Sequence, residues 1–330
     1  MSRDWLGQIE PDTRLNVLAV PGTHDAASVT GASSMPLTIT QQIDITQQLD
    51  AGVRVLDMRV AHSAVTSGGW VRQKTIVSED IHMCHGPIVF ATKLSEALAS
   101  IKQWLTRNNT EFVAMIFQQQ GTKPTEAEEK RRVIGLIKTA IRNAFSDEWV
   151  FGPGDCGNDW PTIGQLKKKV LLFSRLEDDV PNAFDLRAWN TASLAEMVSS
   201  QFDIPNTGLK VAIQDRYTQV TNTDFTDHLN KGYFNNIDEI NKAKFILFEK
   251  MHSQHNGRHT LKINHLSHSL KSPTYSQPYM LGTDINKRLK ASILENKNRR
   301  YRGFVMIDDA EASVCKSIID SNVIFRIDSR

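Results

Sequence analysis

The sequence predicts an α/β protein folded as a single TIM-type (β/α)8 barrel, and three observations carry that expectation. Eight short runs rich in apolar residues recur along the 330 residues. Amphipathic stretches with helical periodicity separate most of them. No GxGxxG follows the first run, where an open dinucleotide-binding sheet would place one.

The runs are LNVLAV (15–20), VRVLDMRV (53–60), IHMCHG (81–86), EFVAMIFQQQ (111–120), KVLLFSR (169–175), LKVAIQDRY (209–217), LKINHL (261–266) and GFVMIDD (303–309). Each has the length and apolar content of a buried strand. In KLSEALASIKQWL, Leu94, Leu98, Ile101 and Leu105 fall three and four apart, the rhythm of one helix face. EAEEKRR (126–132) opens a helix with acids before bases, as the helix dipole prefers, and reads as a solvated face. FILF within AKFILFEKM could be a strand, but Phe234, Ile237, Ile240, Lys244, Phe248 and Met251 keep helical spacing, which predicts a helix over about 233–255. GPGDCGNDWPT (152–162) reads as a loop before a strand. No repeat or Pro/Gly/Ser linker divides the chain, so residues 1–330 are expected to form one domain.

Apolar content of 40% and charged content of 23% are those of an ordinary globular protein. Lys+Arg is 39 against Asp+Glu at 37, which excludes the charge excess expected of a nucleic-acid binder. The three cysteines are odd in number and far apart, against both a disulfide framework and a zinc site, and they favour a reducing compartment. The first residues, MSRDWLGQIEPDTR, show no signal peptide, so the expected location is cytoplasmic, or outside by a signal-independent route. No apolar run approaches the roughly 20 residues of a membrane span.

In a barrel of this kind the working groups sit at the C-terminal ends of the strands, and several runs end in polar residues. VPGTHDAAS carries His24 and Asp25 past the first run. Asp57 and Arg59, two apart, project to the same side of a regular strand. MCHGP supplies His85; further ends carry Gln118 and Gln120, Arg175, Asp215 and Tyr217, and Asp308 with Asp309. Two histidines with carboxylate partners and an arginine match what phosphodiester cleavage without a metal needs: one imidazole takes a proton, the other returns one, and a guanidinium grips the phosphate. Neighbours on a regular strand point apart, so His24 and Asp25 are expected to serve different partners. Taken singly, each histidine fits a core or capping role as well, and Asp57 with Arg59 fits a plain ion pair. Convergence on one rim favours function. The histidines of MHSQHNGRHTLKINHLSHS (251–269) fit no ligand spacing and read as a solvated helix end and loop.

VPGTHD, QQLDAGVRVLDMRV, CHGP, PTIGQLKKKVLLFSR and VAIQDRYT, in this order, resemble successive motifs of the bacterial phosphatidylinositol-specific phospholipase C family, the X-domain barrel, over nearly the whole chain. The resemblance implies a distorted or incompletely closed barrel and a phosphoric diester hydrolase or lyase of lipid metabolism. It implies His24 as general base on the inositol 2-hydroxyl with Asp308 orienting it. His85 would be the general acid, assisted by Asp25, toward the leaving diacylglycerol. Arg59 would bind the phosphate, and Asp57 would position this part of the site. A fixed arginine where calcium-dependent relatives hold acidic ligands implies a calcium-independent enzyme with no metal and no cofactor. The product would be a cyclic inositol phosphate. Arg175, Asp215 and Tyr217 would hold the inositol ring.

Gln118 and Gln120 stand where characterised bacterial members tend to carry a lysine and a glutamate, which leaves head-group specificity open. Two further readings stay beside the first: the same chemistry on another phosphodiester, and a non-catalytic barrel that binds a phosphorylated ligand. A metal-dependent glycerophosphodiesterase is disfavoured by Arg59. The partners expected are a phospholipid substrate and transient contact with a membrane surface, with no nucleic acid, in a monomer. AVTSGGWVRQK (64–74) is expected to form a hairpin at the rim, and Trp70, Trp189 and Met35 are the residues expected to touch lipid.

Overall fold

The computed structural model describes residues 2–33, 38–67, 75–121, 126–191, 200–216, 237–254, 257–267, 278–295 and 302–322. Strands β1 (Ala19–Thr23), β2 (Val55–Ser67), β5 (Phe112–Gln119), β6 (Lys169–Ser174) and β7 (Ala183–Asp185) pair in parallel in that order. On the other flank β9 (Lys210–Gln214), β10 (Thr260–His265) and β11 (Gly303–Ile307) pair in parallel, and β11 closes on β1. Eight parallel strands thus follow chain order around a barrel. A short strand β8 (Ser200–Asp203) lies antiparallel on β9, and no ladder joins it to β7 among the described residues. The barrel is therefore open along that seam, where a cavity of about 440 Å³ is lined from both sides by residues such as Ala183, Asp185, Pro205 and Thr207.

Two expectations about strands need correction. IHMCHG is not a barrel strand: β3 (Thr75–His85) folds back antiparallel on β2, and β4 (Ile88–Lys93) pairs with β3 in turn. The hairpin expected over residues 64–74 has its arms here, while its turn and Trp70 lie outside the described residues. The eighth parallel strand is instead the three-residue β7, too short to show any periodicity. LNVLAV is also displaced. Leu15–Val17 forms a 3-10 turn, and the strand runs on through Pro21 and Gly22, which look like punctuation in sequence. Gly22 is required there: a Cβ would lie 2.4 Å from Met306 Sδ and 2.9 Å from Val55 Cβ, so the packed barrel leaves no room for a side chain.

Alternation along the strands sorts the apolar residues into two layers. Val20, Val55, Ala114, Ile116, Leu171, Phe173, Val211, Ile213, Leu261, Ile263, Phe304 and Met306 fill the barrel, with Phe173, Phe184 and Trp160 stacked among them. Their outward neighbours, including Leu56, Met58, Val113, Met115, Val170, Leu172, Val305 and Ile307, pack against helices. Among these are α1 (Ile45–Ala51), α2 (Leu94–Arg107), α3 (Ala127–Ala144), α6 (Pro278–Glu295) and α7 (Ala312–Asp320). Leu94, Leu98, Ile101 and Leu105 of α2 are all fully buried, as their spacing predicts. α4 (Arg187–Thr191) lies beyond β7, and α5 (Ile237–Ser253) confirms the helix over the FILF segment. At the base of the barrel a buried Arg54–Glu111 pair, 2.7 Å apart, takes in the N-terminal segment through Leu6 and Gly7 N–H. Cys84, Cys156 and Cys315 are free thiols.

Candidate active site

The inward parity of each strand continues upward into a polar layer. Val55 is followed by Asp57 and Arg59, Ile116 by Gln118, Phe173 by Arg175, Ile213 by Asp215, Ile263 by His265, and Met306 by Asp308. Apolar side chains fill the barrel below, and the next inward positions crown it with charge.

His24 and Asp25 lie just past the end of β1, and their separation does not come from strand alternation. Asp25 sits at φ 46°, in the left-handed region, so the chain turns between the two side chains. His24 Nδ1 lies 2.8 Å from Asp308 Oδ1, a residue distant in sequence at the end of β11. Asp25 instead faces the hairpin: its Oδ2 is 2.7 Å from His85 Nδ1 and 3.7 Å from Arg59 Nη1. The Asp25–His85 contact is close but off the line of a linear hydrogen bond, and it is an ion pair when His85 carries its proton. Asp57 joins the halves, accepting from Asp25 N–H at 3.1 Å and from Arg59 Nε at 3.0 Å. The carboxylates of Asp25 and Asp308 are at most 1% exposed, whereas the side chains of His24, Arg59 and His85 are 13, 16 and 24% exposed. The acids thus lie beneath, and the imidazoles and guanidinium reach the mouth.

Loop residues hold this arrangement. Gln41 donates to the carbonyls of His24 and Ile307 and accepts from Ala310 N–H, locking the ends of β1 and β11 together. Gly86 follows His85 at φ 54°, and its N–H donates to Gln120 Oε1 at 2.8 Å. Gln120 therefore supports the turn that carries His85. That bond engages the side-chain oxygen of Gln120, one of the two glutamines whose positions leave head-group specificity open.

The opposite rim is one continuous array. Arg175 donates to Gln118 Oε1 at 3.2 Å and to Asn190 Oδ1 at 3.0 Å, and its guanidinium stacks 3.9 Å above the Trp189 ring. Trp189 Nε1 donates to Asp215 Oδ2 at 3.2 Å. Asp215 Oδ1 stands 3.8 Å from His265 Nδ1, and the His265 ring packs edge-on against His24, with centroids 6.0 Å apart. Trp189 is 1% exposed, which overturns the expectation that it touches lipid. His265 is buried in the site, so the solvated-loop reading of its segment fails there. Its signal was present: it is the next inward position after Ile263 in LKINHL. Tyr217, Met35, His255 and His268 lie outside the described residues.

The electrostatics separate the groups. Burial and the Arg59 charge push His24 down, but Asp308, through its charge and its hydrogen bond, and Asp57 outweigh them and leave the imidazole above its usual value. Burial raises Asp308 against the pull of His24, Arg59 and His85. Burial would raise Asp57 too, yet Arg59, His24, His265 and Asp25 N–H hold it down to about 2. Burial, with Asp57, Asp25 and Asp215 more than compensating it, leaves Arg59 permanently charged. Burial drives His265 down to about 4, only partly offset by Asp215. No cluster of three or more His, Cys, Asp or Glu suited to a metal occurs among the described residues.

Two imidazole–carboxylate pairs flanking a fixed guanidinium can exchange protons on either side of an anionic centre. Residues 13–183 match the family model described as PI-PLC X 1, slightly over half of the chain. The chain belongs to the PI-PLC X family. A 1-phosphatidylinositol phosphodiesterase of Listeria monocytogenes is 25% identical over 329 residues, covering 97% of this chain and 85% of that protein. A variant of the phosphatidylinositol-specific phospholipase C from Staphylococcus aureus superposes with a TM-score of 0.71 at 21% identity, covering 97% of this chain and 96% of that one. Another structure of the staphylococcal enzyme, described for the modulation of its membrane binding, gives 0.71 at 20% identity, covering 97% of each. The PI-PLC X fold thus extends beyond the matched segment to β9–β11, and so to Asp215, His265 and Asp308.

Proposed function

We propose that this PI-PLC X protein cleaves phosphatidylinositol-type lipids by attack of the inositol 2-hydroxyl on its own phosphodiester, releasing a cyclic inositol phosphate and diacylglycerol. The observation that carries this reading is the pairing of His24 with Asp308 and of His85 with Asp25 on either side of Arg59. With Nδ1–H donated to Asp308, His24 presents Nε2 as the proton acceptor. It takes the 2-hydroxyl proton as the O2–P bond forms. Arg59 meets the non-bridging oxygens as their charge grows. His85 delivers a proton to the glycerol oxygen as the P–O bond breaks. Water can then open the cyclic ester with the two imidazoles exchanging roles.

The lipid substrate implies transient contact with a membrane surface, in keeping with the membrane binding named for the staphylococcal relative. The chain acts as a single monomeric catalytic domain, with Arg59 supplying the positive charge at the phosphate. Phosphatidylinositol vesicles in excess EDTA, followed by phosphorus NMR, test this directly. The expected products are the cyclic ester and diacylglycerol, with His24→Ala slower by about 10²- to 10⁴-fold. No product, or an unaffected His24→Ala, rejects the reading.

A second reading has its own observation: Gln118 is uncharged and bonded to Arg175, so it grips a ring hydroxyl less strongly than a charged residue. A panel of phosphodiester head groups compared by kcat/KM decides between phosphatidylinositol and another substrate with a vicinal hydroxyl.

A further inference from the structure

Beside the C-terminal end of β9, Lys244 of α5 is fully buried. Its Nζ donates to Arg216 carbonyl oxygen at 2.6 Å and to Gln214 Oε1 at 2.9 Å, and no carboxylate lies within 4.0 Å of it among the described residues. Burying an ammonium against neutral oxygens alone costs several kcal/mol, and a methionine would fill the space without that cost.

The lysine is tied to both strands that carry the far rim of the site. Gln214 Oε1 also accepts from Arg216 N–H at 3.0 Å, and Gln214 Nε2 donates to Asn264 Oδ1 and to His265 carbonyl oxygen. Asn264 returns to α5 through Phe248 carbonyl oxygen. The two acceptors of Lys244 therefore bracket Asp215, and the same amide holds His265 in place. The charged groups facing Lys244 are Asp215 and Arg216 at the end of β9, His265 on β10 and Asp308 beyond β11. Burial is the largest influence on the ammonium and brings it down to about 7, with Asp215 and Asp308 supporting its charge and Arg216 opposing it.

We infer that Lys244 is a positioning residue for the sugar-binding rim: its charged form clamps the turn carrying Asp215 and so strengthens the hold on ring hydroxyls. This inference rests on the reading proposed above, in which Asp215 meets the inositol ring. Losing the proton weakens both hydrogen bonds, since charge-assisted bonds are roughly twice as strong as neutral ones, and removes the cation behind Asp215.

The test is the pH dependence of KM and kcat on micellar phosphatidylinositol for wild type, Lys244→Met and Lys244→Gln, with calorimetric binding of myo-inositol alongside. In wild type, KM and the myo-inositol Kd are expected to rise through an ionisation near pH 7. In Lys244→Met both are expected to be raised roughly 10-fold at low pH and to stay flat, with kcat changed much less. A folded Lys244→Met whose profiles overlay those of wild type overturns the inference. If neither variant folds, a wild-type Kd for myo-inositol that is constant from about pH 6 to about pH 9 overturns it equally. An inactive wild type would instead remove the phospholipase reading itself, so the two failures are distinguishable.

Discussion

Gln120 holds His85 in place through the backbone: its side-chain oxygen accepts from Gly86 N–H at 2.8 Å, one residue past the imidazole. β5 thereby supports the tip of a hairpin that is not itself a barrel strand. Gln120→Ala leaves that N–H without its partner and frees the turn. Small displacements of a catalytic group are costly, so kcat is expected to fall roughly 10- to 100-fold. KM should change little, because the phosphate and ring contacts remain. Steady-state kinetics on phosphatidylinositol separates the two; a KM effect with kcat intact would mean that Gln120 meets the ring.

Asp308 sets the working range of His24. The carboxylate raises the imidazole above its ordinary value, and a general base must be deprotonated to work. The acidic limb of the kcat/KM profile therefore lies above the usual histidine value. In Asp308→Asn the supporting charge is gone, while burial and Arg59 still press downward. The limb is expected to move to lower pH, and the maximal rate to fall by about 10²-fold or more as the ring loses its orienting partner. A pH–rate profile with the limb unmoved would detach Asp308 from His24.

The buried Arg54–Glu111 pair is a stability element remote from the mouth. Arg54 donates to Glu111 and to the carbonyls of Leu49 and Val53, and its guanidinium stacks 4.6 Å from the Trp104 ring. Arg54→Met leaves Glu111 buried and uncompensated, a change that costs about 3–5 kcal/mol. Arg54→Met with Glu111→Leu should recover part of this, but not all, because Glu111 also accepts from Leu6 N–H, Gly7 N–H and Thr110. Denaturant midpoints of the three proteins check the order.

Much of this site was legible because it obeys the same alternation as the core. Asp57, Arg59, Gln118, Arg175, Asp215 and Asp308 each continue an inward apolar series by one or two steps. His265 obeys the same rule but stands among four neighbouring histidines whose spacing fits no ligand set and so reads as a solvated segment. Other features had no periodic signal. β7 is three residues long, β1 passes through Pro21 and Gly22, and the antiparallel course of β3 depends on pairing that local pattern does not encode. An aromatic such as Trp189 looks alike in sequence whether it faces lipid or stacks beneath an arginine. Lys244 lies on the helical rhythm of α5 and reads in sequence as one more position of its buried face.

His265 makes a separate prediction about stability in acid. Burial holds its folded-state value at about 4, against an ordinary 6.5. Between those values the unfolded chain takes up a proton that the folded one refuses, so stability falls as pH drops from 6.5 toward 4. At about 1.4 kcal/mol per unit the loss is of the order of 3 kcal/mol. Asp57 acts in a lower window: held at about 2 against 3.8, it stabilises above 3.8 and that contribution is lost as pH falls through 2. His24, raised by Asp308, works the other way, its contribution present below 6.5 and lost as pH rises through its folded value. His265→Leu removes the first contribution and, with it, one of the charges that hold Asp57 down. Its unfolding free energy should therefore decline less than that of wild type between 6.5 and 4, and less again below that range, where Asp57 is held down by Arg59, His24 and the Asp25 N–H without His265. Urea titrations at stepped pH measure the difference, and equal slopes in the upper window would show that His265 takes up its proton as readily in the folded protein as in the unfolded one.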